Sequence, residues 1–157
     1  MAKLIGIYIA TSKAAEPRAV EQARAVPGLG LEGDRYYQQS GTFSKPGQPD
    51  REVTLIEEES IAALAADYQV QILPGQARRN LVTSGIALNH LVGQEFQVGE
   101  VRLRGLRLCE PCGHLESLTA TGVEKGLVHR GGLRAQVLTE GILRKGDPIR
   151  SDVGKTT

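Results

Sequence analysis

The chain is expected to fold as a mostly β barrel with one main helix and short peripheral helices, in a single domain spanning residues 1–157. Three observations predict this. Short Val/Ile/Leu runs recur along the 157 residues, and the 19 glycines cluster near the ends of those runs. One Ala-rich stretch, opened by three glutamates, interrupts the pattern with helical composition.

The elements follow in chain order. Residues 3–10 (KLIGIYIA) are apolar and β-branched, and predict a strand buried on at least one face. Residues 14–26 have Ala enough for a helix, yet Arg18, Val20, Gln22, Arg24 and Val26 also form one side of a strand, so an extended segment is expected. Residues 27–33 (PGLGLEG) read as a turn, and 38–50 (QQSGTFSKPGQPD) as an exposed, mobile loop. Residues 52–56 (EVTLI) read as a strand. Glu57, Glu58 and Glu59 then open a helix over 57–67, where acidic side chains suit the positive end of the helix dipole. Residues 80–83 give another short strand. Residues 95–108 (EFQVGEVRLRGLRL) alternate strongly, which predicts a strand pair or one long bulged strand, irregular at Gly99 and Gly105. A short helix is expected within 113–125, final strands at 133–138 and 147–150, turns at Gly141 and Gly146, and a frayed polar tail over 151–157.

Composition narrows the function. A formal net charge of +1 gives no strong field for nucleic acid or membrane. Aromatics make up 4% with no Trp, too few for a base-stacking platform. No apolar run approaches the ~20 residues of a membrane helix, and the first residues lack a secretory pattern. A cytoplasmic location is expected, with Cys109 and Cys112 as reduced thiols and no disulfide.

Four local features carry chemistry. Cys109-Glu110-Pro111-Cys112 holds two thiols at a spacing that suits a redox disulfide, half a zinc site, or one reactive thiol with a helper. A redoxin setting is missing, and His90, His114 and His129 match no compact zinc spacing. Two small buried apolar residues are the plain alternative. Cys109 ends an apolar run and is expected to point inward. Cys112 lies beyond Pro111 and before Gly113, at a candidate helix start that favours a thiolate. Gly33-Asp34-Arg35 offers a guanidinium in a glycine-flanked loop, and an anion site and a loop-tying ion pair stand level there. Arg78-Arg79-Asn80 reads as a solvated pair, or else as a binder of phosphate or a planar heterocycle. Arg130-Gly131-Gly132 is a phosphate cradle or only a turn. Together they suggest a pocket for an anionic ligand bearing sulfur or metal.

At these residues the chain resembles the MOSC family, whose domain is named for the C-terminal part of molybdenum cofactor sulfurases. The resemblance covers roughly residues 3–150. It rests on ordered blocks: GLEGDRYY at 30–37, EVTLIEEE at 52–59, RRNLVTSGIALNHLVGQEFQVGEVRL at 78–103, CEPC at 109–112 and RGGLRAQVLTEGILRKGDPI at 130–149. The chain is most similar to small, stand-alone bacterial members, without a pyridoxal-phosphate domain. The resemblance implies a MOSC-type β-barrel with a cysteine at the mouth of a pocket. It implies Cys112 as the ligand of a molybdenum cofactor, or molybdopterin, and Arg35, Arg79, Asn80 and Arg130 as its holders. Arg79 directly precedes Asn80, where the family has a spaced pair. Cys109 is at most a helper. A soft thiolate suits molybdenum with sulfur ligands, or a persulfide in transit, and a guanidinium fork suits phosphate.

Three functions follow as expectations. One is a cofactor-binding oxidoreductase that supports reduction of N-hydroxylated compounds with a separate redox partner. Another is a sulfur carrier in which Cys112 accepts persulfide sulfur from a cysteine desulfurase. The third is a non-catalytic binding domain with buried cysteines.

Overall fold

The computed structural model describes residues 2–11, 16–34, 52–109 and 130–151. The expectations for the loop at 38–50, the helix within 113–125 and the tail beyond 151 lie outside these residues. Within them the chain is mostly β. The strands are β1 (Lys3–Ile9), β2 (Arg18–Val20), β3 (Gln22–Val26), β4 (Gly30–Leu31) and β5 (Val53–Glu57). After helix α1 (Glu58–Tyr68) come β6 (Leu81–Ser84), β7 (Glu95–Val98), β8 (Val101–Leu108), β9 (Leu133–Val137), β10 (Gly141–Arg144) and β11 (Ile149–Ser151). Single 3-10 turns at Pro74–Ala77 and Leu88–Leu91 are the peripheral helices.

Eight strands form one sheet in the order β11-β7-β8-β9-β5-β6-β1-β2, and β10-β3-β4 form a second. The large sheet curls into a half-barrel. Its β1 reaches round to the β11 side, where Lys3 bridges Pro148 and the Ile149 amide donates to the Ala2 carbonyl at 3.0 Å. The one parallel pairing among these strands is β5 with β6, and α1 forms its crossover.

Alternation explains the packing. In β8, Val101, Leu103 and Gly105 face inward while Arg104 and Arg107 are exposed. Inward residues of the curled sheet, among them Leu4, Leu55, Phe96, Leu103 and Leu133, make the main core. A smaller core lies on the outer face of the sheet, where Ile61 and Leu64 of α1 cover Ile56 and Val82. This is why Val53, Thr54, Leu55 and Ile56 of β5 are all buried: both its faces are covered. Each buried Ile or Leu side chain contributes about 1.5–3 kcal/mol, and the two cores fix the parallel pair from both sides.

Buried carboxylates tie the loops to this frame. Glu52 is almost fully buried and accepts from the amides of Gly28 (3.2 Å) and Val137 (3.0 Å). Burial outweighs these bonds and holds its carboxyl above the usual carboxylate range. Glu57 accepts from the Leu88 amide at 3.2 Å, and burial raises it in the same way.

Most sequence expectations hold within the described residues. The ambiguous stretch after Glu16 is extended, as β2 and β3. The helix runs over Glu58–Tyr68, one residue later than expected, and 95–108 is a strand pair with its bulge between Gly105 and Arg107. Gly141 is a correction. It begins β10 and pairs with Ala25 of β3 rather than forming a turn. Its strand pairing supplies what local composition does not.

Candidate functional site

The site is built around the segment after α1. The 3-10 turn at Pro74–Ala77 ends with the Arg78 amide donating to the Gly75 carbonyl at 3.1 Å. Arg78 then adopts φ 59, the left-handed region that a non-glycine residue occupies at a cost. This reversal sends the following side chain, Arg79, into the protein. The expectation of a solvated arginine pair is therefore corrected for Arg79, which is 9% exposed.

The guanidinium of Arg79 is held by backbone oxygens. Its Nε donates to the Gly131 carbonyl at 2.7 Å, one terminal nitrogen to the Cys109 carbonyl at 3.1 Å, and the other to the Ala77 carbonyl at 3.5 Å. A guanidinium carries five N–H bonds, so two have no partner among the described residues. No carboxylate among the described residues makes a salt bridge to it. The Cys109 amide donates to the Gly132 carbonyl at 2.7 Å. Arg79 and this strand bond thus fasten both ends of the 110–129 stretch, which contains Cys112.

Asn80 is spent on the frame. Its Oδ1 accepts from the Thr54 amide (3.0 Å) and hydroxyl (3.2 Å), and its Nδ2 donates to the Tyr8 carbonyl at 3.1 Å. It locks β1 and β5 beside Arg79. Asp34 is 2% exposed, and its Oδ1 accepts from the Ala10 amide at 3.0 Å. Tyr8, Ala10, Pro17, Asp34, Arg78, Arg79 and Asn80 line a small cavity of about 10 Å³, room for one water-sized group.

All four sequence features thus approach one another. Asp34 closes one wall of the cavity, Arg79 and Asn80 form another, and Cys109 and Gly131 bind Arg79. Arg130 turns away: it is exposed and pairs with Asp67 of α1 at 3.4 Å. Cys109 is 1% exposed, as the sequence suggests for an inward thiol. Cys112 and Arg35, with His114 and His129, lie outside the described residues. His90 sits in the Leu88–Leu91 turn, and no cluster of three or more His, Cys, Asp or Glu suited to a metal occurs among the described residues. Sequence reasoning missed Tyr8 as a cavity wall, because an aromatic within an apolar strand gives no sign of which space it borders.

Comparison with known proteins places this fold. The family described as MOSC domain matches residues 43–150. No curated protein matches the chain in sequence. Among solved structures, the YUAD protein from Bacillus subtilis is similar with TM-score 0.77 and 20% identity, over 95% of this chain and 94% of that one. YiiM from Geobacillus stearothermophilus gives TM-score 0.74 and 15% identity, over 98% and 78%. YiiM from Escherichia coli gives 0.69 and 19%, over 100% and 72%. At these identities the likeness bears on the fold.

Proposed function

The chain belongs to the MOSC domain family, and on that premise we propose that it binds the molybdenum cofactor through the Cys112 thiolate. The observation that carries this reading is Arg79. A buried guanidinium with N–H bonds to spare, and no carboxylate salt bridge among the described residues, lines a small cavity and anchors both ends of the Cys112 segment. Such a cation suits a terminal phosphate, whose charge offsets the burial of the arginine. The chemistry of the donor set fits the group: a thiolate for the soft metal, a guanidinium for the anion.

Each residue has a part. Arg79 holds the phosphate end and sets the position of Cys109 and Gly131. Asn80 keeps β1 and β5 fixed behind it. Cys109 stays buried. Arg35, which follows Asp34 in the sequence, is the second cation that the family resemblance offers. When bound, the cofactor supplies a two-electron redox centre, which suits reduction of an N-hydroxylated compound with electrons from a separate protein. The same thiol also suits sulfur transfer, in which Cys112 carries a persulfide.

The test is metal, pterin and intact-mass analysis of protein made in a host that synthesises the cofactor. Stoichiometric molybdenum and pterin, both lost in Cys112→Ser, are expected. A single added sulfur on Cys112 without molybdenum would transfer the reading to the sulfur carrier. Unloaded protein with unmodified thiols would refute both.

A further inference from the structure

Four adjoining strands, β11, β7, β8 and β9, carry a one-sided set of charges. They hold Arg150, Arg102, Arg104, Arg107 and Arg134, no lysine, and one carboxylate, Glu95. Alternation puts these side chains on the outer face, because Ile149, Phe96, Leu103 and Ala135 beside them point into the core. The register arranges them in rows across the sheet. Arg150, Gln97 and Arg102 form one row, Glu95, Arg104 and Gln136 the next, and Arg107, Arg134 and Thr54 a third. Successive outward positions on a strand lie about 6.8 Å apart.

The face already binds one carboxylate. Glu95 meets Arg104 at 2.6 Å and Arg102 at 3.6 Å, yet the two arginine side chains stay 47% and 42% exposed. Arg150 is exposed as well. Arg107 and Arg134 have interactions of their own in the chain, so the first two rows are the accessible part. Glu100 and Glu140, in the turns beside these strands, are engaged by Arg144 and Arg24. The third row leads to the candidate site. Thr54 bonds Asn80 through its amide and hydroxyl, Asn80 bonds the Tyr8 carbonyl, and Asn80 and Tyr8 line the Arg79 cavity.

We infer that this arginine face docks an acidic segment of a second protein, beside the candidate site. Guanidinium forks suit carboxylates, and Glu95 shows that pairing within the chain. Two other polyanions fit less well. A nucleic acid strand gains from exposed aromatic rings, and the one aromatic on these four strands, Phe96, is buried. An anionic membrane gains from apolar side chains beside the charges, and the exposed large apolar residues Tyr68, Leu73 and Val92 belong to none of these strands. That the docked protein serves the Cys112 thiol rests on the cofactor reading; the docking itself does not.

The test uses the full chain and an alternating Glu–Thr octapeptide bearing one Trp. The chain has no Trp, so the fluorescence of the peptide reports binding. Saturable one-to-one binding is expected, weakening as salt rises from about 20 to about 200 mM. Arg102→Gln combined with Arg104→Gln should weaken it about tenfold. The thermal midpoint of that variant should stay within about 2 °C of wild type, because the ion pairs it loses are exposed. Glu95→Gln frees both guanidinium groups and should tighten binding about threefold, a gain that a purely structural role would not produce. Arg24→Gln, on β3, should leave the affinity unchanged. Wild-type protein that binds the peptide but carries neither molybdenum nor added sulfur refutes only the cofactor reading; loaded protein that ignores the peptide refutes only the docking. The inference is also overturned by unchanged affinity in the double variant or by weaker binding in Glu95→Gln. Tighter binding of a short oligothymidylate, or of phosphatidylserine vesicles, with the same loss in the double variant would reassign the face and overturn it too.

Discussion

Replacing Arg79 by Met removes the guanidinium while keeping an unbranched side chain in its place. Two well-formed bonds are lost, to Gly131 at 2.7 Å and Cys109 at 3.1 Å, together with the longer one to Ala77. Hydrogen bonds from a charged donor contribute about 1.5–3 kcal/mol each, so the two good ones amount to about 3–6 kcal/mol. Burial of the methionine and removal of an internal cation offset part of this. A net loss of about 2–4 kcal/mol is expected, a large share of a typical domain's stability. Urea unfolding measures it, with the slope unchanged because the same surface is exposed. Arg79→Lys separates charge from geometry. An ammonium keeps the charge but lacks the planar fork, and should recover less than half the loss. A loss below about 0.5 kcal/mol in Arg79→Met, or full stability in Arg79→Lys, would refute the clamp.

Gly132 has φ 113, and a Cβ there would overlap the carbonyl oxygen of Leu55. Gly132→Ala should cost more than about 3 kcal/mol by urea unfolding, or leave the protein unfolded; near-neutral behaviour would contradict the backbone reading. Glu52 has its carboxyl raised above 4.5 by burial, so the folded protein binds its proton more tightly than the unfolded chain does. Its contribution is complete below that value and is lost as pH rises through the folded value; Glu52→Gln should flatten that part of the stability–pH curve, while Glu57, raised likewise, keeps its own share. An unchanged curve in urea titrations between about pH 4 and 7 would contradict this. Arg130→Ala removes an exposed ion pair with Asp67, and should change stability by less than about 0.5 kcal/mol.

The sequence carried the periodic parts of this fold well. The alternation over 95–108 marks β7 and β8, and the short β-branched 52–56 run marks β5. Those signals are local, because each residue's neighbours along the chain report its face. What depends on distant partners was harder to see. Gly141 looks like a turn until β3 pairs with it. Arg79 looks solvated because the carbonyls that bury it come from residues 30 and 52 positions away. The candidate site was legible as four separate features, but their convergence on one buried guanidinium was not. Nor was the divergence of Arg130, which takes its partner from α1.

The central claim is that one thiol, Cys112, carries the chemistry while Cys109 is structural. Alkylation kinetics followed by mass spectrometry across pH test it most directly, on wild type, Cys109→Ser and Cys112→Ser. Cys109 is 1% exposed and its amide and carbonyl are both bonded, so it reacts only when the protein opens. The account predicts fast labelling of Cys112 that persists in Cys109→Ser, and slow labelling of Cys109 that tracks global stability. Faster labelling of Cys109 in the folded protein, or cofactor or sulfur loading retained in Cys112→Ser, would contradict it.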